Sequence, residues 1–486
     1  MSKYIKLFNQ HSQYEAFIGG GEITLPNVSH CIDVNDVHYN PIPHDYSKDY
    51  LTFVSRASNV TFTFNGTTVN DVTNKASYSL DDGVTWTEIE SGAETPSVKR
   101  GKKILWRGEM TPTNNGIGTF TATKEFDVEG NAMSLLFGDN FKGQTSLSGK
   151  NYVLRALFRE NTNVLNAENL SLPATTLAND CYTTMFAGCT SLTTAPSELP
   201  ATILAENCYQ GMFGGCTSLT TAPELPATTL TQGCYTAMFY GCTSLTTAPE
   251  LPATTLANDC YTVMFYGCTS LTTAPQLPAT TLASNCYNSM FADCTSLTTA
   301  PSKLPATTLA EGCYQYMFNG CTSLTTAPEL PATTLADSCY YLMFADCTSL
   351  TTAPSELPAT TLADYCYFSM FGGCTSLTTA PSELPATTLA EDCYGSMFYG
   401  CTSLTTAPQL PATTLVSGCY SSMFEGCSSL NYIKAMFTTT PDATYTGDWV
   451  FGVSSNGTFV KNSAATWNVT GVNGIPNGWT VVPASE

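Results

Sequence analysis

Positive charge all but disappears from the second part of this chain: of 18 Lys and Arg, only Lys303, Lys434 and Lys461 follow Leu172. From Leu172 to Cys427 there are seventeen Asp or Glu against Lys303 alone. Such a surface repels phosphate backbones, whose capture needs clustered cations, so nucleic acid is excluded as a partner. Histidine is scarce as well, with 4 residues, none beyond His44, and Arg occurs five times. Acid–base or nucleophilic chemistry needs a positioned base with a partner of unlike type, and the later two-thirds of the chain offer no His or Arg. Glycine-rich phosphate loops and His-Glu-x-x-His are both missing. The expectation is no enzyme, no cofactor and no metal. No stretch approaches the roughly 18 apolar residues of a membrane span, so no membrane insertion is expected. Met1–Gln10 has no apolar h-region, which predicts a chain not exported by the ordinary signal-peptide route. Charged residues make up only 12 %, so Thr, Ser and Ala must cover much of the exterior.

What is present is repetition. Leu172-Pro-Ala-Thr-Thr-Leu-Ala-Asn-Asp-Cys-Tyr-Thr-Thr-Met-Phe-Ala-Gly-Cys-Thr-Ser-Leu-Thr-Thr-Ala-Pro196 returns from Leu199, Leu225, Leu251, Leu277, Leu304, Leu330, Leu357, Leu384 and Leu410. The period is 26 or 27 residues, because some junctions read Pro-Glu-Leu-Pro and others Pro-Ser-Glu-Leu-Pro. An insertion tolerated there marks a coil corner, and a period of this size is the signature of a solenoid. With about 4.8 Å per coil, eleven coils make a rod of roughly 50 Å.

Placed on a helical wheel at about 100° per residue, the constant Cys181, Tyr182, Met185, Phe186 and Cys189 occupy one arc of about 140°. The variable Asn179, Asp180, Thr183, Thr184 and Ala187 fall outside it. This predicts a short helix with its Cys/Tyr/Met/Phe face inward. Ser191–Pro196 and Leu172–Leu177 read as short extended stretches ended by proline, with Leu172, Leu177, Leu192 and Ala195 inward. The structural core of each repeat is thus Cys181, Tyr182, Met185, Phe186, Cys189 and Leu192 with their equivalents. One such coil cannot bury its apolar face alone; stacking does so, and the ends need caps. Residues 131–171 supply a degenerate capping repeat, in which Leu157-Phe158 stands for Met-Phe, Val153 and Asn161 for the cysteines and Val164 for the leucine. Residues 172–430 hold the ten repeats, and the Gly/Asn/Trp-rich 431–486 forms the C-terminal cap.

Apart from Cys31, the cysteines form ten Cys-x7-Cys pairs. Eight residues of helix span about 12 Å, and stacked helices pack at roughly 8–10 Å. A disulfide needs Cα atoms within about 7 Å, and zinc prefers tighter Cys-x2-Cys spacing. Buried, reduced thiols acting as small apolar fillers are therefore expected, which suits a chain folding in a reducing compartment.

The Met-Phe-x-Gly-Cys-Thr-Ser-Leu core and the Leu-Pro that follows it resemble the BspA-like (Treponema-type) leucine-rich repeats of bacterial surface proteins. Gly457-Thr-Phe-Val-Lys-Asn462 and Gly474-Ile-Pro-Asn-Gly-Trp479 are similar to the C-terminal end of such proteins. The resemblance implies a right-handed α/β repeat solenoid, short strands plus short helices, with a parallel sheet on one face. It implies no particular ligand, since these repeats serve many adhesion and recognition roles.

Residues 49–130 alternate in short β-like runs, Val60–Phe64, Ala76–Leu80, Lys103–Arg107 and Gly118–Thr123, which predict a small all-β sandwich-like (Ig-like) domain. Ser79-Leu-Asp-Asp-Gly-Val-Thr-Trp86 matches the Asp-box pattern familiar from sialidases, where it is a hairpin turn remote from catalysis; here it reads as a fold staple. Residues 1–48 form a separate leader or anchor unit. Its phrases Tyr4–Asn9, Leu25–Cys31 and Val37–Pro41 are similar to a leader on proteins of gut Bacteroides and their phages, crAss-like ones among them. His11, His30, His38, His44 and Cys31 fit no standard zinc spacing and read as ordinary strand and loop residues.

A phage virion component (fibre, decoration or receptor-binding protein), a bacterial surface adhesin and a cytoplasmic protein-binding scaffold are the readings to separate. The virion reading expects contacts to virion proteins through residues 1–48, a protein or glycan on a cell surface bound through the solenoid, and oligomerisation in a larger assembly. Two surfaces are candidates for the ligand. One is the aromatic set Tyr240, Tyr266, Tyr316, Tyr341, Tyr365, Phe368 and Tyr399 at variable positions. The other is the threonine ladder of Thr193, Thr194 and their repeats.

Overall fold

The computed structural model describes residues 44–484 in full, and before them the backbone of three strands: β1 (Lys3–Phe8), β2 (Gln13–Ile18) and β3 (His38–Pro41). These make an antiparallel sheet in the order β1-β2-β3. His11, His30 and Cys31 lie outside the described residues. His44 sets its Nε2 2.5 Å from Asp49 Oδ2.

Strands β4 (Leu51–Ser55), β5 (Phe62–Gly66), β6 (Thr68–Val69), β7 (Val72–Thr73), β8 (Ala76–Ser79), β9 (Thr87–Ile89), β10 (Lys103–Arg107), β11 (Gly118–Ala122) and β12 (Phe126–Asn131) follow. After them come a single-turn helix α1 (Ser134–Phe137), β13 (Val164–Asn166) and β14 (Leu170–Ser171). The larger sheet runs β13-β12-β4-β10-β8-β9, with β14 also on β12; β5 and β11 form a second, two-stranded sheet. Aromatic residues fill the space between them: Phe53 lies 5.3 Å from Phe62, 5.5 Å from Trp106 and 5.0 Å from Phe120. The Asp-box is the β8–β9 hairpin turn. Asp81 accepts bonds from Thr85 N (2.9 Å), Thr85 Oγ1 (2.7 Å) and Ser79 Oγ (2.8 Å), which hold its carboxyl down to about 2.

The repeats depart from expectation in one respect: the Cys-Tyr-x-x-Met-Phe-x-x-Cys segment is not a helix. No helix or strand occurs between β14 and β15 (Tyr432–Ala435). The segment is a ribbon of consecutive β-turns. In the first coil the amides of Cys181, Thr183, Met185, Ala187 and Cys189 each bond the carbonyl three residues back, at 3.0–3.3 Å. The alternate amides of Asp180, Tyr182, Thr184, Phe186 and Gly188 donate instead across to Glu206, Cys208, Gln210, Met212 and Gly214 of the next coil, at 2.8–2.9 Å. Every fourth residue takes a left-handed backbone: Asp180 (φ 57), Thr184 (φ 53) and Gly188 (φ 74). An α-helix cannot contain such residues at regular intervals, whereas a turn with φ > 0 at its third position requires them.

The inward set is nevertheless the one the wheel selects. Cys181, Tyr182, Met185, Phe186, Cys189 and Leu192 are fully buried. From Cys181 to Cys189 the spacing i, i+1, i+4, i+5, i+8 is a period of 4.0, which over eight residues resembles the helical 3.6.

Because backbone bonds join the coils directly, they stack far closer than packed helices. Neighbouring Tyr rings from Tyr182 to Tyr420 lie 5.5–5.9 Å apart and nearly parallel. The expected 8–10 Å spacing, and the disulfide argument built on it, do not hold. The twenty repeat cysteines are nonetheless free and buried. The implied parallel sheet is also reduced, to isolated parallel bridges such as Thr194↔Thr221↔Thr247 and Thr229↔Thr255↔Thr281. Proline one residue removed from each Thr-Thr pair, beyond an Ala, lacks the amide that would extend a ladder.

Both ends continue the coil. Tyr152, Ala156 and Glu160 repeat the left-handed positions (φ 62, 57 and 60), and Phe158 stacks 5.1 Å from Phe186. Phe120 of β11 then stacks 6.0 Å from Phe158, and Asn161 Nδ2, in place of a cysteine, donates to Phe120 O at 3.0 Å. The sheets and the solenoid thus share one core. After Leu430 the chain keeps its path through α2 (Ala443–Thr446): Phe424 N donates to Trp449 O at 2.8 Å, and Gly452 sits on Gly426. β15, β16 (Thr458–Lys461) and β17 (Thr480–Pro483) form a parallel sheet that closes this end. Trp449, Trp467 and Trp479 fill it, each indole N–H bonded to a backbone carbonyl.

Candidate functional surface

The inner side of the ribbon is chemically closed. In all ten coils the second cysteine donates its S–H to the Phe carbonyl of the preceding coil, as Cys189 does to Phe158 O (3.0 Å) and Cys242 to Phe213 O (3.1 Å). Burial pushes the thiols up, Cys181 and Cys216 to about 12 and Cys234 to about 11, so neither ladder offers a thiolate. Sequence reasoning treated these cysteines as apolar filler; the second ladder is a hydrogen-bond donor as well.

The outer side carries the aromatic candidates, which fall into groups. Tyr240 and Tyr266 stack at 5.2 Å, and the Asp293 carboxylate beside Tyr266 helps push that phenol up to about 12. Tyr341 stacks on Phe368 at 5.2 Å, Tyr316 meets Tyr341 edge-on at 5.5 Å, and Tyr365 lies tilted by 54° against Phe368 at 5.9 Å. These four form one shelf across three coils. Tyr399 stands apart, 47 % exposed. Phe451, 55 % exposed, continues the position of Tyr240, Tyr266 and Tyr399 into the last coil. It was missed because it lies beyond the last perfect repeat, although counting one period on from Glu425 finds it.

The threonine candidates lie on another face. Thr193 is exposed and Thr194 half-buried. Thr193 Oγ1 donates to Leu165 O (2.9 Å) and Thr220 Oγ1 to Thr193 O (3.3 Å), so these hydroxyl hydrogens are directed along the rod. That face presents lone pairs and methyl groups, with few donors.

A shallow groove of about 250 Å³ runs between Tyr46–Ser47 and the first coil corners at Pro173 and Pro196–Glu198. Among the described residues no group of three His, Cys, Asp or Glu could hold a metal, and no helix is long and apolar enough to cross a membrane.

Stacked coils of one constant inward pattern and one variable outward face define a leucine-rich-repeat solenoid. The chain belongs to the BspA type leucine rich repeat region family, which it matches over 162–316, 211–370, 288–407 and 343–461. Among solved structures it is similar to a leucine-rich repeat protein from Bacteroides ovatus, at 19 % identity over 66 % of this chain and 79 % of that one, with a TM-score of 0.33. That superposition is too loose to carry an argument. No curated protein matches the chain.

Proposed function

We propose that this protein is a non-enzymatic binding protein whose solenoid presents its turn-ribbon face to a protein or glycan on a cell surface. The carrying observation is the separation of roles within each coil. Ten coils keep the inward residues constant, while the outward positions vary and gather exposed aromatics into contiguous groups. A rigid core with a variable, aromatic-bearing face is how a repeat protein builds a recognition surface.

The finer reading is a phage virion surface component, fibre, decoration or receptor-binding protein, with residues 1–48 joined to other virion proteins and residues 49–130 serving as an Ig-like stalk. It rests on the likeness of the leader phrases to those of gut Bacteroides phages. The second reading is a bacterial surface adhesin, which the repeat family favours. Mass spectrometry of density-banded phage particles and of host membranes from the source culture separates them. Stoichiometric recovery in particles supports the virion reading, and recovery with membranes alone supports the adhesin. Recovery only in the soluble fraction overturns surface display and leaves the intracellular scaffold.

A further inference from the structure

The shelf of Tyr316, Tyr341, Tyr365 and Phe368 has a feature that core packing does not explain. The residue before the first cysteine of each coil takes a left-handed backbone, and nine coils fill it with Asp, Asn, Gly or Ser. The remaining one, the eighth coil, has Tyr365, at φ 55 and 37 % exposed. A bulky side chain there costs conformational energy, and an exposed ring recovers little of it by burial. Strain of this kind concentrates where a residue serves recognition.

The surroundings say what the shelf would recognise. Asp364 and Glu391 flank Tyr365 in consecutive coils, and the Asp392 carboxylate beside it holds its phenol above the ordinary range. Glu311 and Asp337 occupy the position of Asp364 in the two preceding coils. The only ion pair of the repeats among the described residues is Lys303–Glu329, at a coil corner. Every carboxylate around the shelf therefore lacks a cation. A neutral sugar would leave them uncompensated, and the faces of Tyr341 and Phe368 are already turned toward each other.

We infer that the shelf docks an arginine-bearing segment of a partner protein. A guanidinium is planar, stacks on the face of a Tyr or Phe ring and donates paired hydrogen bonds to carboxylates. The exposed ring of Tyr365, with Asp364, Glu391 and Asp392 around it, presents both elements together. The acidic field of the whole solenoid steers such a segment inward. The inference rests on the solenoid being a recognition surface, but its test does not depend on where the protein resides.

The test titrates the full-length chain, at low ionic strength, with a capped peptide of alternating Gly and Arg, its Lys counterpart and a neutral oligosaccharide. The expected result is one saturable site, tighter for Arg than for Lys. Binding should weaken about tenfold in the double variant Tyr365→Ser, Phe368→Thr. Ser338 and Thr236 stand at those positions in other coils, so the variant keeps its fold; an unchanged melting temperature checks this. Ile203→Thr, an exposed apolar residue outside the shelf whose equivalents Thr176 and Thr229 are already Thr, should bind as the parent does. Absence of Arg-peptide binding, equal affinity for Arg and Lys, full affinity in the double variant, or binding of the oligosaccharide alone would each overturn the inference. Any of these leaves the particle and membrane fractionation unaffected, so the two failures are distinguishable.

Discussion

Cysteine shows how one residue type serves two purposes in a single coil. The first of each pair fills space beside the Tyr ladder, while the second donates to a Phe carbonyl one coil back. A thiol is small enough for the corner and polar enough to bond a carbonyl; Ala would fill less space and leave that acceptor with only its amide partner. Burial and the raised thiol range together predict that the native chain resists iodoacetamide, and that all twenty repeat cysteines react once it is denatured. Mass-spectrometric counting of adducts checks this. Rapid labelling of the native chain would show that the ribbon does not bury its inner side.

At the scale of the element, the turn ribbon depends on left-handed positions. The residue before the second cysteine is Gly in eight coils and Asp293 or Asp346 in the others. Gly267 has φ 69, and an added Cβ would meet only Gly241 Cα at 3.9 Å, so space is not what restricts it. Gly267→Val should therefore cost roughly 1–2 kcal/mol through the backbone alone. Gly267→Asn should cost clearly less, because Asn tolerates this conformation. Urea denaturation of the two variants measures the difference. Equal losses would point to crowding instead of conformation. This rule was visible in the composition of the repeats, where Gly and Asp recur before both cysteines and Asn before the first. A wheel built at 3.6 residues per turn assigned those positions merely to solvent.

For the whole molecule, one core runs from the aromatic cluster between the sheets, through Phe120 and Phe158, along the Phe ladder to the tryptophans of the C-terminal end. Protonation couples to this core as a unit. Below pH 9 the thiols are neutral whether folded or unfolded. Above it the unfolded chain releases thiol protons, while burial in the folded chain holds them to higher pH, Cys234 to about 11 and Cys181 to about 12. Stability is therefore full below about pH 9 and lost as the pH rises toward the folded values, by up to roughly 1.4 kcal/mol per pH unit for each buried thiol. A domain is typically stable by only about 5–15 kcal/mol, so a few such groups suffice. Circular dichroism should show a steep, cooperative unfolding beginning between pH 9 and 10. A fold intact at pH 11 would contradict the burial of the ladders.

The sequence alone determined that the chain is a solenoid, where each coil begins, and which residues face inward, because those properties depend only on which positions are apolar and constant. It also made the degenerate cap within residues 131–171 and the candidate aromatics legible, since both are departures from a repeat aligned with itself. The tertiary structure decided what the coil is made of. Periods of 3.6 and 4.0 cannot be told apart over eight residues, and the choice between helix and turn ribbon falls to hydrogen bonds reaching 25 or 26 residues ahead. Those bonds set the coil spacing, and the spacing brings Tyr316, Tyr341, Tyr365 and Phe368 into one shelf. No single coil contains that information, because the contacts that create it lie between coils.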